Sequence, residues 1–79
     1  MTQENIDNTI DKIIYADYNG SMKALDKNDP ELFSSYVTIM AQDLRVYKPL
    51  ISKENQNKYK DMYLSLITQF TNKYSMKIN

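Results

Sequence analysis

With 79 residues, zero formal net charge, no cysteine and no histidine, the chain has room for one domain and one modest core, and disulfides and the usual zinc, copper and iron ligands are excluded. Apolar burial barely offsets ordering entropy in a chain this small, so association with another subunit becomes the expected further source of stability. Its 42% hydrophobic and 25% charged residues mark it as globular, not disordered.

The zero net charge hides a polarity. Residues 1–31 carry seven acidic and three basic side chains, a balance of −4, and the remainder carries a balance of +4. Segments of opposite sign attract within one fold or, paired between chains, favour an antiparallel or head-to-tail contact. Residues 1–11 lack the basic start and apolar run of a signal peptide, and no stretch approaches the ~18 apolar residues of a membrane span, so a cytoplasmic location is expected. Asn, Lys, Ile and Tyr supply 32 of the 79 residues; their A/T-rich codons suggest an A/T-rich genome, such as a low-GC bacterium or its phages.

The first predicted element spans about 3–27. Thr2 is placed as its N-cap, and Ile6, Ile10, Ile13 and Ile14 form one stripe at about 100° per residue, with Asp17 landing in the middle of it. Beyond Asp17 the apolar set shifts to Tyr15, Tyr18, Met22 and Leu25. Either the helix kinks or breaks at Asn19-Gly20, with Ser21 capping a short continuation, or one continuous helix shows two faces to two partners; one long helix, straight or kinked, is the expectation. Asp17 to Ser21 resembles the opening of a calcium loop, but Met22 and Asn28 stand where the loop needs glycine and a bidentate glutamate, and a helix-end turn fits better. Asn19-Gly20-Ser21-Met22 resembles the surroundings of the modified serine in acyl carrier proteins, yet Ser21 lies too early and the chain lacks their strong acidity.

The second element, about 30–47, has Asp29 as N-cap, Pro30 at the first helical position and Glu31 in the first turn. Pro49 limits its end to Tyr47 or Lys48. Ten of the sixteen residues from Leu32 to Tyr47 are apolar or aromatic, and on a helical projection they cover about 220°, with Asp43 the polar intruder. That arc is wider than one neighbour needs. Either this helix is central and touches both others, or its edge around Ile39, Val46 and Tyr47 meets another chain.

The third element, about 53–77 with Ser52 as cap, carries Tyr59, Met62, Tyr63, Leu66, Ile67, Phe70 and Tyr74 at i, i+3, i+4 and i+7 spacing. Short connections complete the expectation: all-α, a small antiparallel three-helix bundle that self-associates.

The chemistry points away from catalysis. Only carboxylates, lysines and tyrosines remain as acid-base groups; Asp7 and Asp11 share a helical face, but a solvated polar face explains them better. The single glycine rules out a phosphate-cradling loop. On the third helix the lysines scatter while the tyrosines face inward, a pattern that argues against a nucleic-acid interface.

Seven tyrosines are the compositional excess that bears on binding, since tyrosine is enriched at interfaces. Tyr36, Tyr59, Tyr63 and Tyr74 fall on core stripes. Tyr15, Tyr18 and Tyr47 fall off them or at their edge, and with Met22, Ile39 and Val46 they form the candidate interface. The expected function is a non-enzymatic helical protein, without cofactor or metal, that binds another protein as a regulator or inhibitor, of the phage or mobile-element accessory type. The alternatives are a self-assembling structural subunit, which the plan of helix, Asn-Asp-Pro turn and helix resembles in architecture only, and a bacteriocin-immunity-like protective protein.

Overall fold

A computed structural model describes residues 2–75. Three helices, α1 (Gln3–Asp26), α2 (Pro30–Tyr47) and α3 (Lys53–Ser75), form an all-α up-down-up bundle about 50 Å long and 19 by 16 Å across. The end of the third helix expected at residue 77 lies outside the described residues.

Local chemistry sets the boundaries. Thr2 Oγ1 accepts from the Asn5 amide at 3.2 Å, Asp29 Oδ1 from the Leu32 amide at 3.0 Å and Ser52 Oγ from the Asn55 amide at 3.2 Å, so each helix begins with one of its orphan donors satisfied. The α1–α2 turn rests on Asn28, the one non-glycine residue at positive φ among those described (59°). Its amide donates to the Leu25 carbonyl at 3.1 Å and the Asp29 amide to the Ala24 carbonyl at 2.9 Å, the paired bonds of a Schellman closure with asparagine in the left-handed position. Asp29 thus finishes one helix and caps the next. After α2 a single 3-10 turn, Lys48–Leu50, carries Pro49. Gln56 Nε2 holds this connection by donating to the carbonyls of Lys48 and Ile51, at 3.1 and 3.2 Å.

α1 and α2 run antiparallel and make the most extensive helix–helix contact. α3 runs parallel to α1: Gln3 Nε2 donates to the Leu50 carbonyl (3.0 Å), Tyr59 Oη and Lys58 Nζ donate to Asp11 Oδ1 (2.6 and 2.8 Å), Lys73 Nζ donates to the Leu25 carbonyl and Tyr74 Oη to Asn28 Oδ1 (2.9 Å). Asp11 is therefore the hydrogen-bonding centre of the α1–α3 contact, not part of a solvated face. Partial burial works to raise its pKa, but the bonds from Lys58 and Tyr59 prevail and hold it below the ordinary value. Burial followed by the bond to Asp11 pushes the Tyr59 hydroxyl well above its ordinary range.

The core runs down the middle of all three helices through Ile10, Ile14, Phe33, Met40, Tyr59 and Leu66, with Ile51 closing the end near the second connection. Near the other end Phe33 of α2 stacks on Phe70 of α3 at 4.8 Å between ring centroids, and Phe70 meets Tyr74 at 4.6 Å.

α1 passes through Asn19-Gly20 as unbroken helix. Gly20 is there for space: a Cβ built on it would sit 2.4 to 2.7 Å from three ring carbons of Tyr36, so the absence of a side chain lets the α2 tyrosine lie directly on the α1 backbone. Helix propensity alone favours Gly20→Ala by about 1 kcal/mol, but displacing the ring costs more. The substitution should therefore lower stability by about 1 kcal/mol net, whereas in a Tyr36→Ala background the same change should raise it by about 0.5–1 kcal/mol. Urea unfolding of the four proteins checks this reversal of sign.

Candidate interaction surface

The two polar residues that interrupt the apolar stripes come together. Asp17 is only 8% exposed, and the Asp43 carboxyl of α2 lies within hydrogen-bonding range of it. No protein donor reaches Asp17 Oδ2. Ser21, one turn on, is fully buried and spends its hydroxyl on the Asp17 carbonyl at 2.9 Å. Burial first, then the neighbouring Asp43, raises the Asp17 pKa from its ordinary 3.8 to about 7. A protonated Asp17 has a hydroxyl to donate to the facing Asp43 carboxyl, the arrangement two neighbouring carboxyls adopt when one of them is buried.

Around this seam the helices expose two kinds of surface. Projected at about 100° per residue, the line of α2 that faces α3 passes through Ala41, Leu44 and Lys48, while Tyr36 and Asp43 lie toward α1. Leu32, Ile39 and Val46 fall on the flank beyond Tyr36 and Asp43, away from α3. They are 41%, 45% and 64% exposed, and their spacing of seven residues draws one line along the helix. On α1 the corresponding flank carries Thr9, Ile13, Ala16 and Gly20. α3 thus fills one of the two grooves of the α1–α2 hairpin and leaves the other open.

The second surface lies between α2 and α3. A groove of about 410 Å³ has Ala41, Leu44, Ile51 and Tyr63 on its floor and Lys48 and Lys60 at its rim. Leu64 and Ile67, both exposed, continue the same edge of α3. Ile67 was expected in the core stripe; it sits at the stripe's border, about 80° from Tyr59 on the projection, where α2 does not reach it.

The six candidate residues divide between flanks. Ile39 and Val46 are exposed on the α2 line, which the sequence reading left without Leu32. Tyr47 is half-buried against the core, as are Tyr18 and Met22. Tyr15 is exposed but engaged: its ring meets Tyr18 edge-on at 6.4 Å, and Lys58 Nζ stands 5.5 Å from its centroid while paired to Asp11. The Tyr15, Tyr18 and Met22 flank adjoins α3 and lies away from the α2 line, so the six do not form one patch. Leu64 and the two rim lysines carried no signal beyond exposure at the border of a stripe.

No group of three or more His, Cys, Asp or Glu side chains able to hold a metal occurs among the described residues, and no described helix is long and apolar enough to cross a membrane. Comparison with protein-family models, with curated proteins and with solved structures gives no match.

The carboxyl pair makes stability depend on pH with a definite sign. Folded Asp17 keeps its proton to about pH 7, whereas the unfolded chain loses it near 3.8, so between these values the folded state binds more protons and stability falls as pH rises. Asp17→Asn, whose amide donates to Asp43 as the protonated acid does, should stabilise the protein by on the order of 1 to 3 kcal/mol at pH 8 and by much less at pH 5. Urea unfolding at the two pH values reads this directly.

Proposed function

We propose that this chain is a non-enzymatic binding protein that acts in the cytoplasm by occupying a surface on another protein and altering its activity. The observation that carries the reading is the α2–α3 groove, an apolar floor extended by exposed Leu64 and Ile67 and bounded by Lys48 and Lys60. Apolar grooves between helices take amphipathic segments, and the two rim lysines select one with acidic flanks. The lack of any histidine or cysteine, which removes the commonest acid-base and nucleophilic groups, supports binding over catalysis.

The test uses the intact protein as bait in extract of the source cell, beside a Lys48→Glu/Lys60→Glu variant and a Leu64→Asp/Ile67→Asp variant. Both pairs are exposed or at the groove edge, so circular dichroism should show unchanged helix. The expected result is one protein retained by the wild type and depleted at least about tenfold with either variant, whose activity changes when the purified chain is added. Equal retention by all three baits, or an unaffected target, would remove this groove from the reading.

A further inference from the structure

The open groove of the α1–α2 hairpin is a different surface, and its chemistry specifies its own occupant. We infer that the α2 flank carrying Leu32, Ile39 and Val46 is a two-fold interface with a second copy of this chain, in which α2 packs antiparallel to α2. This goes beyond the binding reading above and does not depend on it.

Self-complementarity carries the argument. Leu32 and Val46 lie symmetrically about Ile39 along α2, seven residues to either side, so an antiparallel copy brings Ile39 close to Ile39 of the second copy and Leu32 toward Val46 of the second copy. The exposed charges of α2 are Glu31 in its first turn and Arg45 in its last. In a heptad count with Leu32, Ile39 and Val46 at one seam position, both occupy the position immediately before it, and residues there face one another across an antiparallel pair. Each Glu31 then meets an Arg45, twice by symmetry. A parallel pairing would instead set Glu31 near Tyr36 of the second copy and leave neither charge opposed. An isologous contact has to match itself, and opposite charges at the two ends of α2 do so across an antiparallel two-fold axis whichever end carries which sign.

Three further features allow the approach. Between the seam residues α2 presents Ser35 and Gln42, neither of them charged. The neighbouring flank of α1 offers Thr9, Ile13, Ala16 and Gly20, short apart from the isoleucine and uncharged, with Lys23 at its edge on the projection. The chain as a whole has zero formal net charge, which leaves no long-range repulsion between copies. The need for such a contact is evident in the packing: among the described residues ten hydrophobic side chains are buried while seven large ones remain exposed, a small core for a domain without disulfide or metal.

Sedimentation velocity and light scattering over about a hundredfold concentration range should show a closed dimer that dissociates on dilution. Glu31→Arg or Arg45→Glu alone should weaken it roughly tenfold at low salt, less at high salt, and the double exchange Glu31→Arg/Arg45→Glu should restore it, a rescue that only opposed charges produce. Because the chain has no cysteine, Ile39→Cys places one thiol per protomer beside the axis, and a short bis-maleimide should link it to its own copy, whereas Leu64→Cys on the far side should not link. Circular dichroism guards against loss of fold. A wild-type monomer at every concentration, single charge variants that dimerise as the wild type does, or a dimer that links through Leu64→Cys and not Ile39→Cys would each overturn the proposal. Target capture is read separately, since the groove variants leave this flank intact and the charge variants leave the groove intact.

Discussion

Two helices packed antiparallel create two grooves, and this chain has one further helix to fill them. α3 settles into one, held to α1 by Asp11, Tyr59 and Lys58 and at the far end by Lys73 and Tyr74 on the α1–α2 turn. The choice of groove decides which apolar residues are covered. Phe33, Val37 and Met40 lie inside; Leu32, Ile39 and Val46, one step round the same helix, remain at the surface. The breadth of the α2 apolar arc thus divides between a part covered by α1 and α3 and a flank left without a neighbour among the described residues.

The α1–α2 contact also shows how a small core accommodates features that look destabilising when taken singly. A glycine in mid-helix lowers helix propensity, and a buried aspartate is a desolvated acid. Yet Gly20 admits the Tyr36 ring against the α1 backbone, and Asp17, which faces Asp43 across the same contact, keeps a proton that lets the two carboxyls bond to each other. Sliding α2 by one residue along α1 would separate the carboxyls and leave buried Asp17 without its partner. Register specification is the best-attested role of such buried polar contacts.

Much of this was legible in the sequence where the determinants are local. The three caps, Pro30 at the start of α2 and the limit set by Pro49 depend on neighbouring residues, and they place the helices to within a few positions. Asp17 and Asp43 stood out individually as polar residues inside apolar stripes. Their meeting could not be read, because it depends on the antiparallel register of two helices. The long first helix was the favoured reading and is observed, but Gly20 left a kink or break open for a related reason: a glycine required for close approach looks the same in sequence as a glycine that ends a helix. Asn28 carries a weak signal for the positive-φ position it holds, because the favoured C-cap is glycine, with asparagine the less frequent choice. Of the residues singled out as a candidate interface, Ile39 and Val46 are exposed, but off-stripe position does not separate an exposed tyrosine from one folded back on its own core, as Tyr18 is, or engaged by a neighbouring lysine, as Tyr15 is.

α2 is the element common to both surfaces, and this has a mechanical implication. Its groove-facing line, Ala41 and Leu44, and its open flank, Ile39 and Val46, are carried on the same two turns. The helix between them is fixed on one side by Tyr36 on Gly20 and by the carboxyl pair, and on the other by the Phe33–Phe70 stack. A rotation of α2 about its axis that opened the groove would drag Asp43 away from Asp17 and drive Tyr36 into the α1 backbone, so both contacts oppose it. The two faces are thus presented by a helix held against rotation at its centre. For the two surfaces as proposed, this packing favours independence over coupling, because a coupling free energy requires an element with two arrangements of comparable energy.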